Sequence, residues 1–322
     1  MPVISNLFYV FLFIGIIGSI FSVAILFLQK VFRLNLPLWV GVLGAFFYLI
    51  PIVLPQVKLF SPEEQLWRYG YIVASKLWVM GAVFFLLYYL VRSIFAYRAV
   101  IKCETCTDEK ILPIYKECVD KLHIKKVPKL VFGTLNEPAC VVTIFIPVII
   151  LNEIIIRQLS EKELKIVLCH ELTHIKRKHH MFQHIYDFII ILYWFIPFVW
   201  IERYEFAYSC EMDCDKTTLK TLDFEVTVKE YTTTMIHLME FTTKKENATY
   251  GKMNLLGFLV AKQRFISIMQ RPSQKSEIGK LIVVTIVIIF TIIVSIIVSR
   301  SMFYPYPAHN NGYQEYKITM EP

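Results

Sequence analysis

The stretch that decides the fold is Leu168-Cys169-His170-Glu171-Leu172-Thr173-His174-Ile175-Lys176-Arg177. It contains the pattern His-Glu-x-x-His inside a run that predicts one helix over about residues 160–185, starting at the capping box Ser160-Glu-Lys-Glu163. Residues four apart on an α-helix differ by about 40° in direction and about 6 Å in rise, so His170 and His174 share one face. Two neutral imidazoles on one face can hold Zn²⁺, and Glu171 then lies beside the attacking water. The pattern is short and also occurs by chance, but the apolar residues on both sides favour a buried metal-binding helix.

The composition predicts a membrane protein. Of the 322 residues 56% are hydrophobic, and the mean hydropathy is +0.53, which is too apolar for an ordinary soluble domain. Four runs, at about residues 4–28, 36–54, 71–91 and 281–299, approach or exceed the about 20 apolar residues that a helix needs to cross a bilayer. The first run lacks the basic start and the cleavage site of a signal peptide, so we expect a retained span.

Charge places the long segment between the third and fourth spans in the cytoplasm. Lys30 and Arg33 follow the first span, and the excess of Lys and Arg in cytoplasmic loops then puts both termini outside the cell membrane. All seven cysteines lie in that long segment, which agrees with a reducing compartment. The net charge of +8 is explained by this topology and by attraction to the anionic lipid of the bilayer. No module for nucleic-acid binding is visible, so we expect no direct nucleic-acid partner, and no feature of the sequence indicates an oligomeric state.

These features divide the chain into four parts. The expected organisation is a three-span transmembrane region at residues 1–97, a cytoplasmic zinc metalloprotease domain at 98–280, a fourth transmembrane helix at 281–299 and a short extracytoplasmic tail at 300–322. The predicted fold class is therefore a mostly α membrane protein with four transmembrane helices and a cytoplasmic α+β domain between spans three and four.

The first half of the cytoplasmic segment contains the predicted strands. A helix is predicted within residues 98–127, a strand at 128–132, and a second strand or a hairpin at 139–145 and 147–151, where β-branched residues are frequent. This β-branched stretch could pair with an extended substrate by strand addition, or it could form ordinary core sheet.

The second half of the segment is predicted to be helical. Residues 188–201 are apolar and aromatic but too short to span a bilayer, so they predict a buried helix or an interfacial hairpin broken at Pro197. A helix of mixed polarity follows from Glu202 to about residue 222, and a last amphipathic helix is predicted at residues 262–269.

A catalytic zinc site takes three protein ligands and leaves one position for water, so a third ligand is required. One arrangement would use His180, six residues after His174, but it needs a glycine where Arg177 stands. If the helix continues, His180 lies about 240° around and about 9 Å along from His174 and cannot reach the metal. We therefore expect His179, His180 and His184 to be solvated or interfacial residues.

A following helix offers a better third ligand. Glu211-Met-Asp-Cys-Asp215 places two carboxylates on one face of that helix. We predict that Glu211 binds zinc and that Asp215 accepts the N–H of a ligand imidazole, which fixes the tautomer of that imidazole. The fallback ligands are Glu202, Glu205 and Asp213.

Three motifs together resemble one family. They are His170-Glu-Leu-Thr-His174-x-Lys-Arg-Lys, Tyr193-Trp-Phe-x-Pro-x-Val-Trp200 and Glu211-x-x-Cys-Asp215, and with the order of spans and domain they look like the BlaR/MecR family of bacterial membrane signal-transducer metallopeptidases. The resemblance covers about residues 1–300. It implies a gluzincin-type zinc domain, with zinc on His170, His174 and Glu211 and with Glu171 as the base. It also implies β-lactam-triggered cleavage of the protein itself and of a cytoplasmic penicillinase-repressor-type regulator.

The sequence departs from this family in three places. Ile196 stands where the family often has Asn, and His179 stands where an Asp is common. Only about twenty residues follow the fourth span, and they contain no S-x-x-K acylation motif. We therefore expect no C-terminal penicillin-binding sensor domain and no sensing of β-lactams through an acylated serine.

The sequence predicts an integral-membrane zinc metalloendopeptidase that hydrolyses peptide bonds in signalling, in itself, in a cytoplasmic repressor-type regulator, or in both. The alternative is a non-catalytic membrane receptor or scaffold with a structural zinc site. The cysteine pairs Cys103/Cys106 and Cys210/Cys214 could sense a soft metal or thiol oxidation, or they are small buried residues. An oxyanion-stabilising residue is also expected, with Tyr204, Tyr208 and Arg203 as candidates.

Overall fold

The structure, a computed structural model, describes residues 2–31, 38–49, 65–134, 137–142, 146–246, 264, 266 and 277–303. Within these residues the chain forms ten helices and four short strands. In chain order the helices are α1 (Pro2–Val31), α2 (Leu38–Leu49), α3 (Gln65–Ile101), α4 (Ile111–Lys121), α5 (Glu153–Ile156), α6 (Glu161–Lys176), α7 (His179–Tyr193), α8 (Pro197–Thr221), α9 (Val228–Glu246) and α10 (Glu277–Phe303). The strands are β1 (Glu104–Thr105), β2 (Lys129–Phe132), β3 (Ala139–Val142) and β4 (Val148–Leu151).

Two of the described helices are long and apolar enough to cross a bilayer. They contain the segments Val10–Leu28 in α1 and Ile72–Ile101 in α3. The side chains of α3 leave a broad apolar surface exposed, with Met80 at 64% and Phe84 at 63% of their full exposure. An exposed apolar surface of this kind is typical of a helix that contacts lipid.

The other two predicted spans correspond to shorter apolar segments. These are Leu38–Leu49 in α2 and Leu281–Val294 in α10. The predicted second span covers residues 36–54, of which 36, 37 and 50–54 lie outside the described residues. The four-span topology therefore stays a prediction.

The first turns of α8 pack against α1 and α2. Glu202 lies in this contact, where the Ser22 hydroxyl on α1 donates to its carboxylate at 2.5 Å and the Tyr186 hydroxyl on α7 lies 3.3 Å from its other oxygen. Gly44 on α2 allows the approach, because a side chain there would overlap that carboxylate. The helix that carries Glu211 is therefore fixed to the apolar helices at its N-terminal end.

A four-stranded sheet in the order β1-β2-β4-β3 packs against α6. β2 runs parallel to β4, whereas β3 forms an antiparallel hairpin with β4. Alternate residues of β4, Ile149 and Leu151, lie in the core with Leu168 and Leu172 of α6, as the two-residue period of a strand requires. The predicted strand at residues 128–132 and the predicted hairpin are confirmed, although residues 143–145 lie outside the described residues. The short strand β1 was not predicted.

The helix with the metal motif is shorter than predicted. The prediction of one helix over residues 160–185 is wrong, because α6 ends at Lys176 and α7 begins at His179. Lys178 between them has a φ of 56°, a left-handed conformation that costs a non-glycine residue about 1–2 kcal/mol. No glycine or proline marks this break in the sequence. The turn places His179 inside the fold, where its side chain is fully buried.

Other predicted boundaries agree better with the structure. The capping box is confirmed, because the Ser160 hydroxyl accepts from the Glu163 N–H and the Glu163 side chain accepts from the Ser160 N–H. Of the two alternatives for residues 188–201 the structure has the hairpin, with the turn at 194–196 between α7 and α8, and its interfacial position stays a prediction. The next helix begins at Pro197 rather than at Glu202, since proline suits the first turn of a helix. The helix predicted within residues 98–127 is α4. The helix predicted at residues 262–269 lies outside the described residues except for 264 and 266.

We expect Leu168→Ala to destabilise the fold by about 2–5 kcal/mol, because it removes a fully buried side chain from the core between α6 and the sheet. The measurement is thermal unfolding of the full chain in detergent. Phe224→Ala is the control: Phe224 is 100% exposed, so its removal should change the stability by less than about 0.5 kcal/mol. Equal shifts in Tm for the two variants would contradict this packing.

Candidate metal centre

The predicted ligands come together between α6 and α8. His170 and His174 lie one turn apart on α6, and Glu211 faces them from α8. The two histidine Nε2 atoms are 3.3 Å apart, and each is 3.4 Å from an oxygen of Glu211. Ligand atoms about 2.0–2.1 Å from one tetrahedral ion are about 3.3–3.4 Å from one another. The two nitrogens and the carboxylate oxygens therefore fit the ligand set of a catalytic zinc ion.

The charges of these groups suit a cation. Burial opposes the negative charge of Glu211, but its contacts with His170 and with the Arg264 guanidinium hold the pKa of Glu211 well below its usual value. Burial lowers the pKa of His174 to about 3, so its imidazole is neutral. Burial also acts against a charge on His170, but Glu211 and Asp215 raise its pKa. A positive charge is therefore favoured between His170 and Glu211.

Glu171 follows the first histidine and is half-buried. Burial raises the pKa of its carboxyl to about 7; His170 opposes this rise, and the Glu211 and Glu137 carboxylates add to it. A carboxyl with a pKa near the working pH can both accept a proton and return it. The position and the pKa of Glu171 suit a general base.

Cys214 is an alternative third ligand. Its Sγ and the ligand nitrogens of His170 and His174 lie within 4.8 Å of one another. However, burial raises the pKa of this thiol, and its Sγ contacts His179 Nδ1 at 3.4 Å. Glu211 reaches both Nε2 atoms with a charged carboxylate, so the geometry favours Glu211.

Tyr231 and Asp215 stand behind His170. The His170 Nδ1 atom is 3.2 Å from the Tyr231 hydroxyl, which donates to Asp215 at 2.7 Å. Asp215 Oδ1 itself lies 3.4 Å from the same nitrogen. The structure thus brings Asp215 to the imidazole that it is predicted to orient, and adds Tyr231 from α9 between them. Sequence reasoning missed Tyr231, since it lies on another helix at no diagnostic spacing.

Arg264 is a second residue that sequence reasoning missed. Its guanidinium donates to both carboxylate oxygens of Asp215, at 2.7 and 2.9 Å, and lies 3.0 Å from Glu211. The side chain is buried. The available signal in the sequence was a charge, two residues after Lys262, before the mostly apolar run Phe-Ile-Ser-Ile-Met at positions 265–269.

Several other candidates lie away from this centre. Glu202, a fallback ligand, faces α1 and α2. Arg203, a candidate for oxyanion stabilisation, donates to Asp187 on α7 at 2.7 Å. All seven cysteines are free, and burial raises the pKa values of Cys106 and Cys210, which disfavours the reactive thiolates that a thiol sensor needs.

The histidines after the motif do not behave alike. His179 is fully buried, so the expectation that it is solvated or interfacial is wrong; its Nδ1 lies 3.2 Å from His174 Nδ1. His180 is half-buried, and burial lowers its pKa. The His184 Nδ1 atom is hydrogen-bonded to the Tyr89 hydroxyl on α3 at 2.8 Å. Among the described residues, the cluster of side chains that could hold a metal consists of His170, His174 and Cys214, and it includes neither His180 nor Glu211.

Comparison with known proteins adds a family to this geometry. The model of a family described as BlaR1 peptidase M56 matches residues 61–268. The chain is 24% identical over 196 residues to the "Regulatory protein BlaR1" of Bacillus licheniformis, covering 57% of this chain and 32% of that protein. It is 25% identical over 148 residues to the "Methicillin resistance mecR1 protein" of Staphylococcus aureus, covering 46% of this chain and 25% of that protein. The chain thus spans about a third or less of the length of the curated relatives it matches.

We expect Glu211→Gln to weaken Zn²⁺ binding, because the amide keeps the shape of the side chain and loses its charge. The loss should exceed the about 10–100-fold that follows from replacing a residue that only contacts a metal ligand. The measurement is competition of the purified full chain with a chromophoric chelator. Cys214→Ser is the matched variant one turn away on the same helix, and it should bind Zn²⁺ within a few-fold of the unmodified chain. The reverse pattern would assign the third ligand to Cys214.

Proposed function

Because the chain belongs to the BlaR1 peptidase M56 family, we propose that it is an integral-membrane zinc metalloendopeptidase that acts in signalling. The observation that carries the proposal is the convergence of His170, His174 and Glu211 beside a half-buried carboxyl, Glu171. The proposed substrates are the chain itself, a cytoplasmic regulator of the penicillinase-repressor type, or both.

In this proposal His170, His174 and Glu211 hold the metal and Glu171 moves the proton. When bound, Zn²⁺ supplies a Lewis acid that polarises the scissile carbonyl and lowers the pKa of a water towards about 7. Glu171 takes a proton from the attacking water and delivers it to the leaving amine. Its pKa of about 7 suits both steps. Tyr231 and Asp215 keep the His170 imidazole oriented with Nε2 towards Glu211.

The substrate would bind as an extended strand along β3. In the sheet as described, β3 is the last strand beside β4, so one of its edges is open to an added strand. β3 also packs against α6. Burial raises the pKa of Cys140 on β3, and the nearby Glu171 carboxylate raises it further. An added strand would therefore run beside the proposed base.

The names of the relatives support a regulatory role. One is described as a regulatory protein and the other as a methicillin resistance protein. Since the chain spans about a third or less of their length, we transfer the peptidase chemistry and a place in a signalling circuit, and leave the stimulus open to experiment.

We also propose that the chain crosses the bacterial cell membrane four times. Residues 98–280 would lie in the cytoplasm, and the N-terminal end of α1 and the C-terminal end of α10 would lie outside. The support comes from the two long apolar helices and from the apolar surface that α3 leaves exposed. The metal centre would then act on cytoplasmic protein segments.

Glu171→Gln should abolish cleavage and leave Zn²⁺ bound, because the amide cannot accept the proton while the three ligands are intact. We expect a loss of about 10²–10⁴-fold in the cleavage of the chain or of a co-expressed repressor-type regulator, measured by immunoblot. Glu161→Gln, the same change at an exposed position of α6, is the control and should cleave normally. Undiminished cleavage by Glu171→Gln would refute the assignment, and bound Zn²⁺ with no cleavage by the unmodified chain would favour the non-catalytic receptor or scaffold.

The topology can be tested with alkaline phosphatase fusions, since this reporter needs disulfides that form only outside the cytoplasm. A fusion after Phe303 should be active, and a fusion after Val127 should be inactive. Immunoblots of both fusions are the control for their expression. Phosphatase activity at Val127 would place the metal centre outside the cell.

A further inference from the structure

His179 lies directly behind the second proposed metal ligand. His174 Nε2 faces His170 and Glu211, at 3.3 and 3.4 Å. The other ring nitrogen, Nδ1, lies 3.2 Å from Nδ1 of His179. His179 is fully buried, so this contact is shielded from water.

The order of donors and acceptors along this contact follows from one requirement. If Nε2 of His174 is to offer its lone pair to a metal, the proton of the neutral ring must be on Nδ1. That N–H then donates to His179 Nδ1, and the proton of His179 is left on its Nε2. This atom lies 3.4 Å from Oδ2 of Asp213 on α8, an oxygen that can only accept.

Asp213 completes the chain of contacts. This residue, one of the fallback ligands, lies 3.2 Å from the Arg177 side chain at the end of α6. Among the described residues, His179 Nε2 and Asp213 Oδ2 are both buried, and neither makes an aligned hydrogen bond. Two buried polar atoms that face each other are the natural partners of one another.

We propose that His179 and Asp213 are positioning residues that orient His174 for metal binding, through the hydrogen-bonded series His174 Nδ1–H to His179 Nδ1 and His179 Nε2–H to Asp213. The proposal rests on the proposed function in one respect, since it requires a metal at His174 Nε2. It assigns His179 a role that no spacing in the sequence indicates.

The backbone and the neighbouring thiol support this assignment. His179 follows Lys178, whose left-handed φ of 56° turns the chain at the end of α6 and brings the imidazole under His174. Cys214 Sγ lies 3.4 Å from the same His179 Nδ1 that faces His174, and a thiol, which is a weak donor and a weak acceptor, competes only weakly with the His174 N–H for that nitrogen. The arrangement also parallels the one behind His170, where a hydroxyl stands between the imidazole and Asp215.

The test separates hydrogen bonding from packing with two substitutions of similar size in the full chain. His179→Leu removes both nitrogens, whereas His179→Gln keeps one acceptor for His174 and one donor for Asp213. Zn²⁺ affinity is measured by chelator competition, and the visible spectrum of the Co²⁺-loaded protein reports the geometry of the ligands. We expect His179→Leu to bind Zn²⁺ about 10–100-fold more weakly with a changed Co²⁺ spectrum, and His179→Gln to recover most of the affinity. Unchanged binding and spectrum in His179→Leu, or equal losses in both variants, would overturn the proposal.

The Asp213→Asn variant tests the contact between His179 and Asp213, and it can be measured even if the His179 variants do not fold. As a single substitution it should weaken Zn²⁺ binding. In the double variant with His179→Leu it should cause no further loss of affinity, because the effects of residues that act in series are not additive. Asp187→Asn is the matched control, an aspartate on α7 that is paired with Arg203 away from the metal centre, and its Zn²⁺ affinity should be unchanged. Additive losses, or a loss in Asp187→Asn equal to that in Asp213→Asn, would overturn the series. A chain that binds Zn²⁺ but cleaves nothing would remove the proposed function and leave this result intact.

Discussion

The structure depends on a half-buried carboxylate, Glu211, that keeps its charge between two packed helices. A carboxylate taken out of water is destabilising unless charged partners and hydrogen bonds compensate for it. Here the compensation comes from two elements: His170 and His174 approach from α6, and Arg264 approaches from the segment before α10. Each of these partners makes a further contact of its own. The packing of α6 against α8 therefore depends on the position of the Glu211 carboxylate.

The same helix joins this charge to the apolar helices. Glu202 and Glu211 are nine residues apart on α8, which is about 13 Å along the helix axis. Glu202 accepts from Ser22 on α1 and fits against Gly44 on α2, while Glu211 faces the histidines. A displacement of α1 or α2 that α8 follows would therefore move Glu211 relative to α6. The helix that presents Glu211 to the candidate metal centre therefore also packs against the apolar helices α1 and α2.

Most of the site could be predicted because its parts repeat at a fixed spacing along single helices. The two histidines, the base beside them and the acidic pair on α8 all follow from the residues that one helix face presents. Tyr231 and Arg264 could not be predicted in this way, because they reach the site from other elements and only the tertiary packing brings them near. The same limit explains β1, a strand of two residues that exists only as the partner of β2.

The break between α6 and α7 could not be predicted for a different reason, since the local sequence argues against it. A lysine in the left-handed conformation is unfavourable by itself, and at Lys178 this conformation carries His179 into the core behind His174. This is also the position at which the chain has His where the family it resembles commonly has Asp. In this chain the carboxylate lies further out, on Asp213 of α8, with the His179 imidazole between it and the proposed metal ligand His174. The turn at Lys178 thus places the His179 imidazole between His174 and Asp213.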